Sequence, residues 1–388
     1  MHVSDKVKNL PPYLFSEFQR KKKGLQAQGV DVIDLGIGAP DLPTPEFIID
    51  TLVKEVSVST NHRYSNYDGI QEFKLAVAAY YENHYGVALD PDTEVLALIG
   101  SKEGIANMVQ AVINPGDTVL VPDPGYPVYR TAVHLAGGET EYVSLDQQNG
   151  YIPQLENVSK STRDKAKLLF LNYPSNPTSA TVDINVFLKA ITFVEKNNML
   201  LAHDAAYDLV TFAGYQAPSV LQVPGAKEHA IEFGSLSKSF NMTGWRIGYV
   251  VGNKQIIQAI ATLKSNIDTC QFIPVQKAAA VALRSDLFTV KQNNEVFQKR
   301  MEVLHHALEE LGMHAEKPRG SIFLWAKIPS DFTSIAFADF LLEKAGIIVT
   351  PGNAFGPSGE GFVRIALSVT IERINEVIRR LRKLDFRS

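Results

Sequence analysis

Apolar residues in this chain fall into two rhythms that alternate along its first two thirds. Short unbroken runs such as Val95-Leu96-Ala97-Leu98-Ile99, Thr118-Val119-Leu120-Val121, Lys167 to Leu171 and Met199 to Ala202 have the length and composition of strands buried on both faces. Between them lie stretches of helical spacing: 101 to 113, a segment after Pro127, and Val182 to Lys196. Upstream, Pro11 to Gln28 reads as a helix stopped by Gly29, and Val32-Ile33-Asp34 as a short strand. The glycine-rich turn to Asp41 follows, then helices from Pro45 to about Val56 and from Gln71 to Tyr85, flanking an aromatic loop at Arg63–Ile70. The strand–helix alternation predicts an α/β fold whose mostly parallel central sheet is covered by helices on both faces.

Beyond Arg246 the rhythm changes. Helices are expected at Ile256–Ser265 and Val275–Arg284, then one long amphipathic helix from Leu287 to Leu311. Strands near 323–325, 347–349 and 362–365 and a last helix after Ile371 read as a smaller α+β part. The expected division is a large α/β domain over 41–285 and a small domain built from both termini, 1–40 and 286–388. No internal repeat or low-complexity segment interrupts it.

Composition narrows the function classes. The 388 residues are 45% hydrophobic with a net charge of −4, which gives no electrostatic case for nucleic acid or a membrane surface. No apolar run reaches spanning length, and a single cysteine, Cys270, fits a reducing compartment, so a cytoplasmic protein is expected. Cys270 has no cationic neighbour in sequence and reads as an inert thiol. The basic run Arg20–Lys23 reads as a solvated helix end. The nine histidines show no ligand spacing, so no metal is expected.

In an open parallel sheet, ligands bind outside the carboxyl ends of the strands. Five polar or aromatic clusters follow directly on apolar runs there: Gly100-Ser101-Lys102, Asp123 to Tyr126, Asn172 to Asn176, Asp204 to Tyr207, and Ser235 to Lys238. The last is the most telling. Lys238, expected on a loop after the strand His229–Phe233, stands among hydroxyl side chains with Arg246 eight residues on. A lysine there can form a Schiff base with an aldehyde while hydroxyls and guanidinium hold a phosphate, the two groups that pyridoxal 5'-phosphate carries in one molecule. The turn Gly36-Ile37-Gly38 lacks the further glycine and following helix of a dinucleotide fingerprint, which argues against a nicotinamide dehydrogenase.

These motifs, with Asn172-Tyr173-Pro174-Ser175-Asn176-Pro177-Thr178, Asp204-Ala205-Ala206-Tyr207 and Phe362-Val363-Arg364-Ile365-Ala366, make the chain resemble the class I/II, fold-type-I pyridoxal-phosphate aminotransferases over nearly its whole length. The resemblance extends to the subgroup containing LL-diaminopimelate and methionine or aromatic aminotransferases. It implies ping-pong transfer of an amino group between an L-amino acid and a 2-oxo acid. Lys238 would be the Schiff-base lysine and proton-transfer catalyst, Asp204 the partner of the pyridine nitrogen, and Asn176 and Tyr207 those of the ring's phenolic oxygen. Tyr126 would stack on the ring. Ser101, Lys102, Ser235, Ser237 and Arg246 would meet the phosphate, joined by Tyr64 from the neighbouring subunit of a homodimer. Arg364 would clamp the substrate carboxylate, with Gly38, Ile37 and Asn176 completing the substrate end. Ser179 stands where the family usually places glycine, and Ala205 where many relatives carry an acid. A carbon–sulfur β-lyase on the same fold is the alternative; a ligand-sensing regulator is disfavoured because no segment is left over for a DNA-binding domain.

Overall fold

A computed structural model describes residues 2–10 and 14–384, with the side chains of 14–19 left aside; the expected helix start, Pro11 to Tyr13, lies outside the described residues. The strands, in chain order, are β1 (Ile33–Asp34), β2 (Val95–Leu98), β3 (Thr118–Asp123), β4 (Glu139–Ser144), β5 (Ala166–Asn172) and β6 (Leu200–Asp204). They continue with β7 (Ala230–Ser235), β8 (Gly248–Gly252), β9 (Phe323–Lys327), β10 (Ile347–Ile348), β11 (Thr350–Pro351) and β12 (Phe362–Ala366). Seven form one sheet in the order β2-β8-β7-β6-β5-β3-β4. All its neighbours are parallel except β8, which runs antiparallel to both β2 and β7. β11, β12 and β9 make an antiparallel sheet, and β1 pairs in parallel with β10, so residues near both ends of the chain meet.

Strands β2, β3 and β7 are buried at every position, as expected of strands with helices on both faces. Two strands leave no such mark in the sequence. β4 lies at the sheet edge and is mostly exposed, so it carries polar residues where an apolar run would be looked for. β8 is a Gly-Tyr-Val-Val-Gly run hidden directly behind the Arg246 motif. The expected loop at Lys238 is a one-turn helix, Leu236–Ser239, too short to leave a periodic signal; the Ser235 hydroxyl caps it by accepting from the Ser237 N–H at 3.2 Å.

The basic run is not a solvated helix end. Arg20 to Lys23 sit inside the helix Leu14–Ala27, where Lys21 and Lys22 reach Asp339 (2.5 Å) and Asp34 (2.9 Å). Those ion pairs bind this helix to the β1 and C-terminal elements.

Apolar side chains gather into two clusters on the faces of the large sheet, a third around Phe297, Phe323, Phe337 and β10, and a small fourth of Leu145, Tyr151, Trp325, Ala354 and Phe355. Beneath β6 and β7, Glu232 is fully buried and accepts from the Tyr81 hydroxyl, the Ser219 hydroxyl and the Val220 N–H, at 2.7, 2.7 and 2.9 Å, and pairs with His203 Nδ1 at 2.7 Å. Burial pushes this carboxyl up, and the His203, Ser219 and Tyr81 contacts more than cancel that, leaving it below the ordinary range. Phe187 packs beside the same histidine with ring centroids 4.6 Å apart. Replacing Phe187, wholly buried, by alanine is expected to cost about 3–5 kcal/mol, read as a lowered urea midpoint with little change in slope.

Candidate active site

A cavity of about 450 Å³ opens where the parallel strands of the large sheet end. The ends of β2, β3, β5, β6 and β7 each deliver a short polar or aromatic segment to it. β5 ends at Asn172, and in register beside it β6 ends at Asp204. β7 ends at Ser235, which caps the helical turn carrying Ser237 and Lys238. The helix Ser101–Val112 begins at the cavity wall, so its first backbone N–H groups face inward with the positive end of the helix dipole. Ile37, Gly38, Phe323 and Arg364 enter from the elements around β1, β9 and β12.

Lys238 is the group that burial disturbs most usefully. Removal from water, then the positive charges of Arg364 and Arg246, lower its amine to about 8, against a weaker pull upward from Asp204. Its Nζ donates to the Gly38 carbonyl at 2.5 Å and stands 5.9 Å from the centre of the Tyr207 ring. Gly38 is required there for space: a Cβ would come within 2.5 Å of the Phe323 ring.

Asp204 is shifted the opposite way. Burial raises its carboxyl, opposed by a hydrogen bond from Tyr129 Oη (2.8 Å), the charge of His203 and the Ala206 N–H (3.3 Å). Such a buried carboxyl is poised for a cationic N–H donor. Burial likewise drives Tyr207 far above the phenol range, so it stays a hydroxyl donor.

Arg364 is 3% exposed and lies between two aromatic faces, with its Cζ 4.2 Å from the Phe323 ring centre and 4.8 Å from that of Phe355. Nη1 donates to Asn176 Oδ1 at 2.8 Å, and Nη2 to the Gly36 carbonyl at 2.6 Å. Stacking and neutral acceptors fix its planar fork in one orientation, as recognition of a carboxylate requires. At the other end Arg246, Ser235, Ser237, Thr243, Ser101 and Lys102 gather hydroxyls and positive charge. Burial, then Arg246, lower the Lys102 amine.

The structure therefore brings Ile37, Gly38, Ser101, Lys102, Tyr126, Asn176, Asp204, Tyr207, Ser235, Ser237, Lys238, Arg246 and Arg364 to one cavity. Tyr64 is the expected site residue it does not bring there: it is 89% exposed and lines a separate depression with Cys270 and Phe272. Cys270 is buried and burial holds its thiol at about 12. Ser179 takes φ 58°, the left-handed region that favours glycine, and spends its hydroxyl on the Phe323 carbonyl at 2.9 Å.

Several residues that the geometry uses carry no distinct functional signature in the sequence. Asn172 donates through Nδ2 to the Asp204 carbonyl (2.6 Å) and accepts from the Asn176 N–H (2.7 Å), bracing two expected site residues at once. Its place at a strand end was the available signal. Tyr129 stacks on Phe170 at 4.6 Å and, like Phe323, reads as plain core in sequence. Among the described residues, no three His, Cys, Asp or Glu side chains stand together in a way that could hold a metal ion.

The donor set fits a phosphorylated pyridine aldehyde. It has an amine near neutrality, a buried carboxyl awaiting a cation, an aromatic wall, and hydroxyls with guanidinium at a helix start. A family profile described as aminotransferase class I and II matches residues 30–381. LL-diaminopimelate aminotransferases of Moorella thermoacetica and Aquifex aeolicus are 46% and 45% identical over 384 and 381 residues, covering 99% and 98% of this chain and 98% of each relative. Among solved structures, substrate-bound BacF from Bacillus subtilis superposes with a TM-score of 0.95 at 38% identity, over 99% of this chain and 98% of that one. A Thermus thermophilus aspartate aminotransferase double mutant gives 0.93 at 28%, over 99% and 100%.

An amine lowered to about 8 predicts a measurable difference from surface lysines. In the coenzyme-free protein, acylation of Lys238 followed by peptide mass analysis should show a rate midpoint near pH 8, where exposed lysines titrate near 10.4. A midpoint with the exposed lysines would remove the charge argument.

Proposed function

We propose a substrate and a division of labour among residues for a chain that belongs to the class I and II aminotransferases, a pyridoxal-phosphate-dependent enzyme that moves amino groups between amino acids and 2-oxo acids. The proposed donor is LL-diaminopimelate, the substrate named for relatives 46% identical across almost the entire chain. The observation that carries the division of labour is that Lys238, on the turn after β7, Asp204, at the end of β6, and Arg364, in the middle of β12, all line one cavity.

Bound there, pyridoxal 5'-phosphate supplies an electron sink for the charge left when the substrate's α-proton departs. Lys238 anchors it and, once freed, carries that proton; an amine lowered to about 8 is neutral often enough to accept it. Asp204 holds the ring nitrogen protonated, and Tyr129 and Asn172 hold Asp204. Asn176 and Tyr207 donate to the ring oxygen, and Tyr126 covers a ring face. Ser101, Lys102, Ser235, Ser237 and Arg246 bind the phosphate. Arg364 takes the substrate carboxylate, with Gly38 and Ile37 closing that end. Each half-reaction reuses the same groups, the donor leaving as a 2-oxo acid before the acceptor enters.

Two further readings belong to this proposal. A homodimer is supported by the exposed apolar residues Ile49, Val53, Val56, Tyr64, Ile267 and Phe272, carried on neighbouring elements, and the family resemblance assigns the exposed Tyr64 to the partner's phosphate end. The division into 41–285 and the two terminal portions is supported by the separate apolar cluster around Phe297, Phe323 and Phe337. Among the described helices none is long and apolar enough to cross a membrane.

The test is a half-reaction screen. Coenzyme-loaded protein with LL-diaminopimelate and 2-oxoglutarate should form glutamate, and the visible absorbance of the lysine-bound coenzyme should fall on adding the donor alone. Conversion of other amino acids but not this one would overturn the substrate; pyruvate with ammonia from a cysteine thioether would overturn the transamination reading. Lys238→Ala should lose that absorbance and more than about 10³-fold in turnover while keeping its far-ultraviolet circular dichroism.

A further inference from the structure

One junction joins the two halves of the cavity from outside it. At the carboxyl end of β3, Asp123 turns away from the site toward the segment 352–359. Its carboxylate accepts the Ser358 N–H on both oxygens, each at 3.1 Å, and the Ser358 hydroxyl at 2.9 Å. Two parallel hydrogen bonds reinforce it: the Gly125 N–H donates to the Phe355 carbonyl at 2.8 Å, and Arg130 Nη2 to the Ala354 carbonyl at 3.0 Å. Gly356 makes the approach possible. It adopts φ 132°, and a Cβ there would overlap Asp123 Oδ1.

What lies on each side gives the junction its consequence. Three residues after Asp123 comes Tyr126, a wall of the cavity. On the other side, Phe355 sits under the Arg364 guanidinium and edge-on to Trp325, 5.9 Å between centroids, while Thr350 and Pro351 pair in register with Arg364 and Val363. The ring wall and the guanidinium thus belong to different sheets, and this hydrogen-bonded seam is a short covalent and polar path between them.

We propose that Asp123 is a positioning residue for substrate, fixing through Ser358 the separation between the ring face at Tyr126 and the Arg364 guanidinium. The inference rests on the assignment of those two residues above. Substrate is held at both places at once, by its carboxylate and through the coenzyme, so an error in their separation weakens binding before it alters the proton transfer. Coenzyme alone touches only the sheet side and is indifferent to it.

Steady-state kinetics of the holoenzyme test this with Asp123→Asn, Ser358→Ala and Gly356→Ala. Asp123→Asn and Gly356→Ala should raise KM for both amino donor and 2-oxo acid roughly tenfold, with kcat within about twofold and an unchanged coenzyme spectrum. Ser358→Ala, which keeps its N–H, should show a smaller rise, and Ser358→Thr should restore the wild-type KM. A lowered melting temperature with unaltered KM in the variants that fold would overturn the proposal, as would a loss confined to kcat or to coenzyme binding. If Asp123→Asn does not fold, Ser358→Ala and Gly356→Ala decide. Wild-type protein that converts no amino donor would sink the proposed function itself; active wild type with unaltered KM in the variants would sink only this inference.

Discussion

Everything in this site depends on taking an amine out of water without letting it keep its full charge. Lowering Lys238 from the usual lysine range to about 8 corresponds to about 3 kcal/mol against the ammonium form, supplied by burial and by the guanidiniums of Arg364 and Arg246. The same dry surroundings raise Asp204. Two groups that would be oppositely charged in water are thus each pushed toward neutrality in one cavity, the pattern that separates acid and base roles in an enzyme. A ligand with a cationic ring nitrogen, an aldehyde and a phosphate relieves each strain at its own place. Coenzyme binding and site electrostatics are therefore the same free energy seen from two sides.

Such a cavity holds its geometry because much of its wall is built from strand ends. Asn172 and Asp204 are neighbours in register, so one amide side chain can brace both the carboxylate strand and the Asn176 backbone. Under the sheet the His203–Glu232 pair ties β6 to β7, with every named polar partner placed. A buried carboxylate lacking those donors would disorder the strands that carry Asp204 and Ser235.

The features legible in sequence were those with a local signature. Apolar runs marked the central strands, and the polar residues after them marked the cavity, because the end of a parallel strand is both a sequence boundary and a place in space. Lys238, Asn176 and Asp204 were readable for that reason, and Arg246 by its place eight residues after Lys238. β4 was not, because most of its positions face solvent and carry polar residues, and the turn bearing Lys238 was not, because four residues hold about one helical period. Tyr129 and Phe323 were invisible for a different cause. Their residue types are ordinary for a core, and only the fold shows that one hydroxyl points at Asp204 and one ring lies under Arg364. Arg20–Lys23 misled because the acids that partner Lys21 and Lys22, Asp339 and Asp34, are close in space, not in sequence.

The segment from Asp204 to Phe212 gives the two parts of the molecule a common pivot. Asp204 ends a strand of the large sheet and Leu209 packs in that sheet's apolar cluster, whereas Tyr207, Val210 and Phe212 pack in the cluster of Phe323 and Ile347. Tyr207 meets the Phe323 ring edge-on at 5.7 Å, and Phe323 in turn lies under Arg364 and against Gly38. Arg364 also donates to Asn176 Oδ1 at 2.8 Å and the Ser179 hydroxyl to the Phe323 carbonyl at 2.9 Å, so the β9–β12 side is tied to the segment after β5 as well as to the one after β6, and Arg364, Phe323 and Tyr207 share one frame with Asp204.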